Sequence, residues 1–162
     1  MTETARRPSA TADAVAPLRR AGITGLLVLL PVVLLITLWP THALLRLKPV
    51  VVRGLTALHD RGILEPLTWV RLEVLANVAM LVPVGLALVL AIGGRRWLLA
   101  VAACAGLSLA VELAQHAMPG RIASPLDVVA NSAGALLGAL LALALERWAR
   151  ARRAGSPRAG VR

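Results

Sequence analysis

Glu112, Gln115 and His116 stand at i, i+3 and i+4 in the segment ELAQH, and residues 127–131 read DVVAN, with Asp127 and Asn131 at i and i+4. Fifty-four positions before DVVAN the chain reads EVLAN, which repeats the acid-to-amide spacing with Glu73 and Asn77. Residues at i and i+4 project from one face of a helix, about 6 Å apart along its axis. Two carboxylates, Glu112 and Asp127, with Arg121 between them in sequence could do general acid–base work on a polar head group, with Asn77, Gln115 and Asn131 orienting the set. ELAQH is not the HExxH spacing of zinc hydrolases, and Glu112, His116 and Asp127 offer a single imidazole, so no metal is expected. Ser124 and Ser132 lie nearby without a GxSxG context, which gives a serine nucleophile little support. No cofactor is expected.

The elements that carry these residues are oily. Of 162 residues 58% are hydrophobic, with a mean hydropathy of +0.76, a composition too apolar for a water-facing surface. Four apolar stretches, near 21–40, 73–92, 97–118 and 126–146, approach or reach the roughly 20 residues that a helix needs to cross a ~30 Å hydrocarbon core. The fold class expected is therefore all-α, an integral membrane bundle of four transmembrane helices. Trp39, Trp69, Trp97 and Trp148 sit at or near the ends of these spans, as an interfacial belt does. The single Cys104 falls within the third span and is expected to be buried and inert.

The formal net charge of +10 would suit a nucleic-acid binder only if it covered one soluble face. Instead the basic residues flank the spans, so no nucleic-acid partner is expected. With both termini inside, twelve basic residues lie on the cytoplasmic side, among them Arg95 and Arg96 in the GGRR turn, against six outside. The positive-inside rule then predicts an N-in, C-in protein of the cytoplasmic membrane. Residues 1–20 and 148–162 are expected to be basic cytoplasmic tails around a transmembrane domain at 21–147, with membrane lipids as partners. The outer loop at 41–72 contains PVVVRGLTALHDRGIL, apolar enough for a short helix lying on the membrane surface.

Depth sharpens the polar pattern. Glu112 lies fifteen residues beyond Trp97, about 22 Å along the helix, which leaves it within roughly 8 Å of the outer edge of the core. Asn77 and Asn131 are about that deep on antiparallel neighbours. A charge inside hydrocarbon costs ~2.5–3.5 kcal/mol even on the lenient insertion scale, so Glu112 requires a partner, a proton or water. The plainer alternatives are structural. Ser124, Pro125 and Asp127 fit a helix start, with Ser at the N-cap, Pro at N1 and Asp at N3 of a capping box. The amides could be interhelical glue.

Gly134 and Gly138 form a GxxxG face, extended by Ala130 and Ala142, suited to close packing inside the bundle or against a second copy. Pro83 and Gly85 are expected to bend or loosen the second span. EVLAN and DVVAN raise the question of an internal duplication, which Ala- and Leu-rich helices also mimic.

Asn77 with Pro83 and Gly85, then Glu112 and Gln115 in ELAQ, then PGRIASPLDVVANSAGALLG with Arg121, Asp127, Asn131, Gly134 and Gly138, resemble the VanZ-like family of bacterial membrane proteins. The resemblance covers about residues 70–142 and departs from the family pattern at MLVPVG, where no aromatic residue precedes Pro83. It implies a small polytopic membrane protein, in a family named for a member associated with low-level teicoplanin resistance. The shared depth of Asn77, Glu112 and Asn131, set beside this resemblance, leads to the expectation of an outer-leaflet polar pocket that handles a cell-envelope ligand such as a lipid-linked or peptidoglycan-related molecule. The alternatives are a non-catalytic scaffold whose polar cluster only packs the bundle and, less simply, a transporter formed by an oligomer. Whether the chain is an enzyme stays open.

Overall fold

In the computed structural model, residues 10–38, 41–117 and 124–155 are described. They form α1 (Ala10–Thr37), α2 (Thr41–His59), α3 (Trp69–Ile92), α4 (Trp97–His116) and α5 (Pro125–Ala154), with one 3₁₀ turn at Gly94–Arg96. All of the regular structure in these residues is helical, and α1, α3, α4 and α5 are long and apolar enough to cross a membrane. The all-α, four-span architecture expected from hydropathy is the one observed. Two ends differ. α1 begins at Ala10, inside the expected tail, and α5 continues past Trp148 to Ala154. The extension of α5 consists of Ala and Arg, good helix formers although hydropathy no longer favours them, whereas that of α1 mixes Ala, Leu and Arg with Thr11, Asp13, Val15 and Pro17. Arg152 and Arg153 in the last turn of α5 also complement the helix dipole.

The bundle is built on a seam of small residues. α3 packs along α5 so closely that a Cβ on Gly134 or Gly138 would strike the carbonyl oxygens of Val78 and Val82, and one on Gly85 would strike that of Ala135. The GxxxG face, which the sequence left open to a second copy, is thus filled by α3 of the same chain. α3 runs unbroken through Pro83, and Gly85 serves close approach to α5 instead of a break. α1 meets the other side of α3 at Gly22, where a Cβ would lie 2.7 Å from the Ala87 oxygen. Val84, Val89, Ala135, Ala139 and Ala142 are buried along these contacts. Outward-facing leucines such as Leu27, Leu98 and Leu113 are more than 60% exposed, which suits helices whose surroundings are lipid.

α2 occupies the loop between the first two spans. It starts eight residues before the stretch expected to be helical, and it is not among the helices able to cross a membrane. Lys48 places its Nζ 5.2 Å from the centroid of the Trp69 ring at the start of α3, a cation–π distance.

At the far end the α3–α4 turn is clamped to α5. Gly93 takes φ 91°, a backbone conformation that favours glycine, and the Gly94 N–H donates to Glu146 Oε1 at 2.9 Å. Glu146 is buried, and its other oxygen meets Arg150 Nη2 at 2.5 Å. Replacing Glu146 with Ala is expected to leave the Gly94 N–H without its acceptor, a loss of ~1–3 kcal/mol. Thermal unfolding of the purified chain in detergent should show a lowered midpoint for Glu146→Ala and a smaller change for Glu146→Gln, which keeps an acceptor oxygen.

Candidate functional site

The polar residues of the spans gather at the opposite end. A cavity of about 220 Å³ is lined there by Glu73, Asn77, Glu112, Gln115, Asp127 and Asn131, together with Ser108 and Thr37. It draws on the last turns of α1 and α4 and the first turns of α3 and α5, because neighbouring helices that alternate in direction bring those turns to one level. Each residue keeps to the helix face that 3.6-residue periodicity assigns. Ser108, Glu112 and Gln115 continue the buried stripe of α4 that begins with Ala100 and Cys104.

Hydrogen bonds tie the cavity wall to the helix ends. Gln115 Nε2 donates to the Thr37 carbonyl oxygen at 2.6 Å, tying α4 to the last turn of α1. Asn131 Nδ2 donates to Ser108 Oγ at 2.8 Å, joining α5 to α4. The Ser124 N–H donates to Glu112 Oε1. Ser124 is the N-cap of α5 and Pro125 follows at the first helical position, but the Ser124 hydroxyl makes no capping bond. The N–H that a capping box would give to the N3 side chain goes to Glu112. The intramembrane carboxylate therefore acts across helices, holding the start of α5 from α4.

Chemically the cavity is rich in acceptors. Three carboxylates, Glu73, Glu112 and Asp127, line it, and among the described residues no lysine or arginine does. Asn131 Oδ1 is buried without a protein partner, and an unsatisfied buried acceptor costs ~1–3 kcal/mol. Hydroxyl, amide N–H and amine groups are the complement of such a wall. Among the described residues, no three His, Cys, Asp or Glu side chains are placed to share a metal ion. At ~30 Å³ per water, the volume holds a polar head or a single ring and not an entire lipid.

A family model described as VanZ/LLP1 matches residues 23–146. The chain belongs to the VanZ/LLP1 family. No curated protein and no solved structure matches it. The matched region of this VanZ/LLP1 chain runs from α1 to Glu146, so it includes every cavity residue and the clamp at the other end. With four membrane-capable helices, this family member is a multi-pass membrane protein.

Within the VanZ/LLP1 domain two residues singled out from the sequence are not in the described cavity. His116 is exposed and does not line it. The buried stripe of α4, Ala100, Cys104, Ser108, Glu112 and Gln115, is centred on Gln115, and at 100° per residue His116 lies about 100° around the helix from that centre. Arg121 belongs to the α4–α5 connection and lies outside the described residues. Conversely, Ser108 and Thr37 were not anticipated. Ser108 stands one turn before Glu112, a spacing visible in the sequence, whereas Thr37 contributes a backbone carbonyl that has no signature in residue type.

Proposed function

We propose that this VanZ/LLP1 chain acts in the bacterial cell envelope, in the cytoplasmic membrane with both termini inside. Its acceptor-rich cavity takes the polar head of a lipid-linked or peptidoglycan-related ligand at the outer leaflet. The observation that carries this reading is the convergence of seven polar side chains from three apolar helices, with one from α1, on a single small cavity. Hydroxyl and amide donors of a glycan or peptide head match the carboxylates and the unpartnered Asn131 Oδ1. In this reading Glu112 is the central carboxylate, Asp127 and Asn77 orient the head, and Arg121 supplies an anion contact. A consequence is lowered susceptibility to teicoplanin.

The second reading is a scaffold without a ligand. It is favoured by the Glu112–Ser124 and Gln115–Thr37 hydrogen bonds, which hold helix ends together. A sensitive host expressing the chain, beside Glu112→Gln and Asp127→Asn variants at matched membrane abundance, separates the two. Protection against teicoplanin by the native chain, substantially reduced in both folded variants, is the expected result. Variants that protect as well as the native chain would leave only the scaffold.

A further inference from the structure

The end of the bundle opposite the polar cavity carries a second cleft, of about 730 Å³, and its charge has the other sign. Arg19 from α1, Arg95 and Arg96 from the 3₁₀ turn, and Arg150 from α5 line it, with Glu146 and Gly94 at its base. Four guanidinium groups against one carboxylate leave it with a net charge of three positive.

The arginines are positioned by contacts to fixed parts of the bundle. Arg19 Nε donates to the Ala91 carbonyl oxygen at 3.2 Å, at the last turn of α3. Arg150 is held by Glu146 at 2.5 Å. Glu146 also accepts from the Gly94 N–H at 2.9 Å, and that bond fixes the turn from which Arg95 and Arg96 project. A Cβ on Gly94 would lie 2.7 Å from Glu146 Oε2 and 2.8 Å from Leu143 Cδ2, so a larger residue there would displace the Glu146 carboxylate that holds the turn. Arg95 and Arg96 have no acidic partner among the described residues. The cleft thus brings cations from three segments together over a buried carboxylate that neutralises one of them.

Location narrows the chemistry. Glu146 is nineteen residues beyond Asp127 on α5, about 28 Å along the helix, close to the ~30 Å thickness of a hydrocarbon core. When the acidic cavity stands at one membrane face, this cleft stands at the head-group level of the other. Guanidinium forks match the tetrahedral, multiply charged face of phosphate, and basic pockets between membrane helices are suited to anionic head groups.

We propose that this cleft is a phosphate-binding site whose ligand is the head-group phosphate of an anionic membrane lipid or free phosphate, the shared chemistry being a phosphate anion held by Arg19, Arg95, Arg96 and Arg150. It is independent of the envelope ligand proposed for the opposite cavity.

The test uses the full chain in nonionic detergent, where no charged bilayer contributes a diffuse attraction. Equal amounts of phosphatidylglycerol and phosphatidylcholine are added, unbound lipid is removed, and retained lipid is counted by native mass spectrometry. A parallel arm titrates inorganic phosphate alone and follows the fluorescence of Trp97 and the thermal midpoint. The Arg95→Gln/Arg96→Gln variant is compared with Arg147→Gln/Arg153→Gln, which removes the same charge from exposed positions outside the cleft. Preferential retention of phosphatidylglycerol, lowered at least about fivefold by the cleft variant and less than about twofold by the control, assigns a lipid head group. A saturable response to inorganic phosphate alone, lost in the cleft variant, with no lipid preference, assigns free phosphate. No response in either arm, or equal losses in the two variants, overturns the site. Both variants alter exposed side chains only, and equal thermal midpoints without ligand establish that they are folded.

Discussion

Gly138→Ala is expected to lower the thermal midpoint of the purified chain, and Gly106→Ala to leave it unchanged or raise it. Alanine is the better helix former by up to about 1 kcal/mol, so propensity alone predicts a gain at both sites. The surroundings decide the sign. At Gly106 an added Cβ meets nothing within 4 Å, and the propensity term stands. At Gly138 it would press on the Val82 carbonyl oxygen and lie 2.6 Å from the Leu86 backbone nitrogen. Those atoms belong to the α3 backbone and cannot rotate aside as a side chain could. Overpacking of this kind costs ~1–3 kcal/mol, enough to exceed the propensity gain. Because the strain acts on the closest helix pair of the bundle, the Gly134→Ala/Gly138→Ala double variant should lose more than either single one. Thermal unfolding in detergent micelles, followed by helix content, measures all four; a Gly138→Ala midpoint at or above the native value would mean that α3 and α5 do not meet as closely as described.

The second large effect concerns Glu112, whose two expected roles separate by choice of substitution. Glu112→Ala removes the acceptor of the Ser124 N–H and opens space beside a buried stripe. A buried donor left without a partner costs ~1–3 kcal/mol, so the variant should unfold at lower temperature. Glu112→Gln keeps an acceptor oxygen and nearly the same volume, and should remain within ~1 kcal/mol of the native chain. Loss of envelope function in Glu112→Gln with stability preserved assigns the charge to the ligand. Loss of stability in both assigns it to the bundle alone.

The spans themselves were legible because hydropathy averages over about twenty residues, and no single misjudged position moves the average. Their ends were less so. Leu18 packs against the buried cluster around Val89 and Ala139, although the surrounding arginines and prolines resemble a solvated tail. The polar cavity could be approached from the i to i+4 spacing of Glu73 with Asn77 and of Asp127 with Asn131, since that spacing fixes a face. His116 shows where such spacing fails: two residues 100° apart can each lie near a third without sharing its side of the bundle. Glu146 was hidden for a different reason. In ERWAR it has the composition of a water-exposed helix end, and its partner is the N–H of Gly94, a backbone group fifty-two positions away. Residue type says nothing about such a pairing, and only the folded turn brings the two together.

The seam between α3 and α5 also bears on how the bundle assembles. Membrane helices gain little hydrophobic free energy by leaving lipid for one another, so their association depends on what must be given up at the contact. Gly and Ala have no side-chain rotamers to freeze, whereas a long side chain loses up to ~1.5–2 kcal/mol on ordering. Gly134, Ala135, Gly138, Ala139 and Ala142 therefore let α5 dock with almost no loss of side-chain entropy, and backbone dispersion over a long contact is retained nearly in full. α3 and α5 are separated in the chain by all of α4, so this low-entropy contact closes only after α4 has crossed. It then fixes the geometry of both ends at once, the carboxylate-lined cavity at one and the arginine-lined cleft at the other.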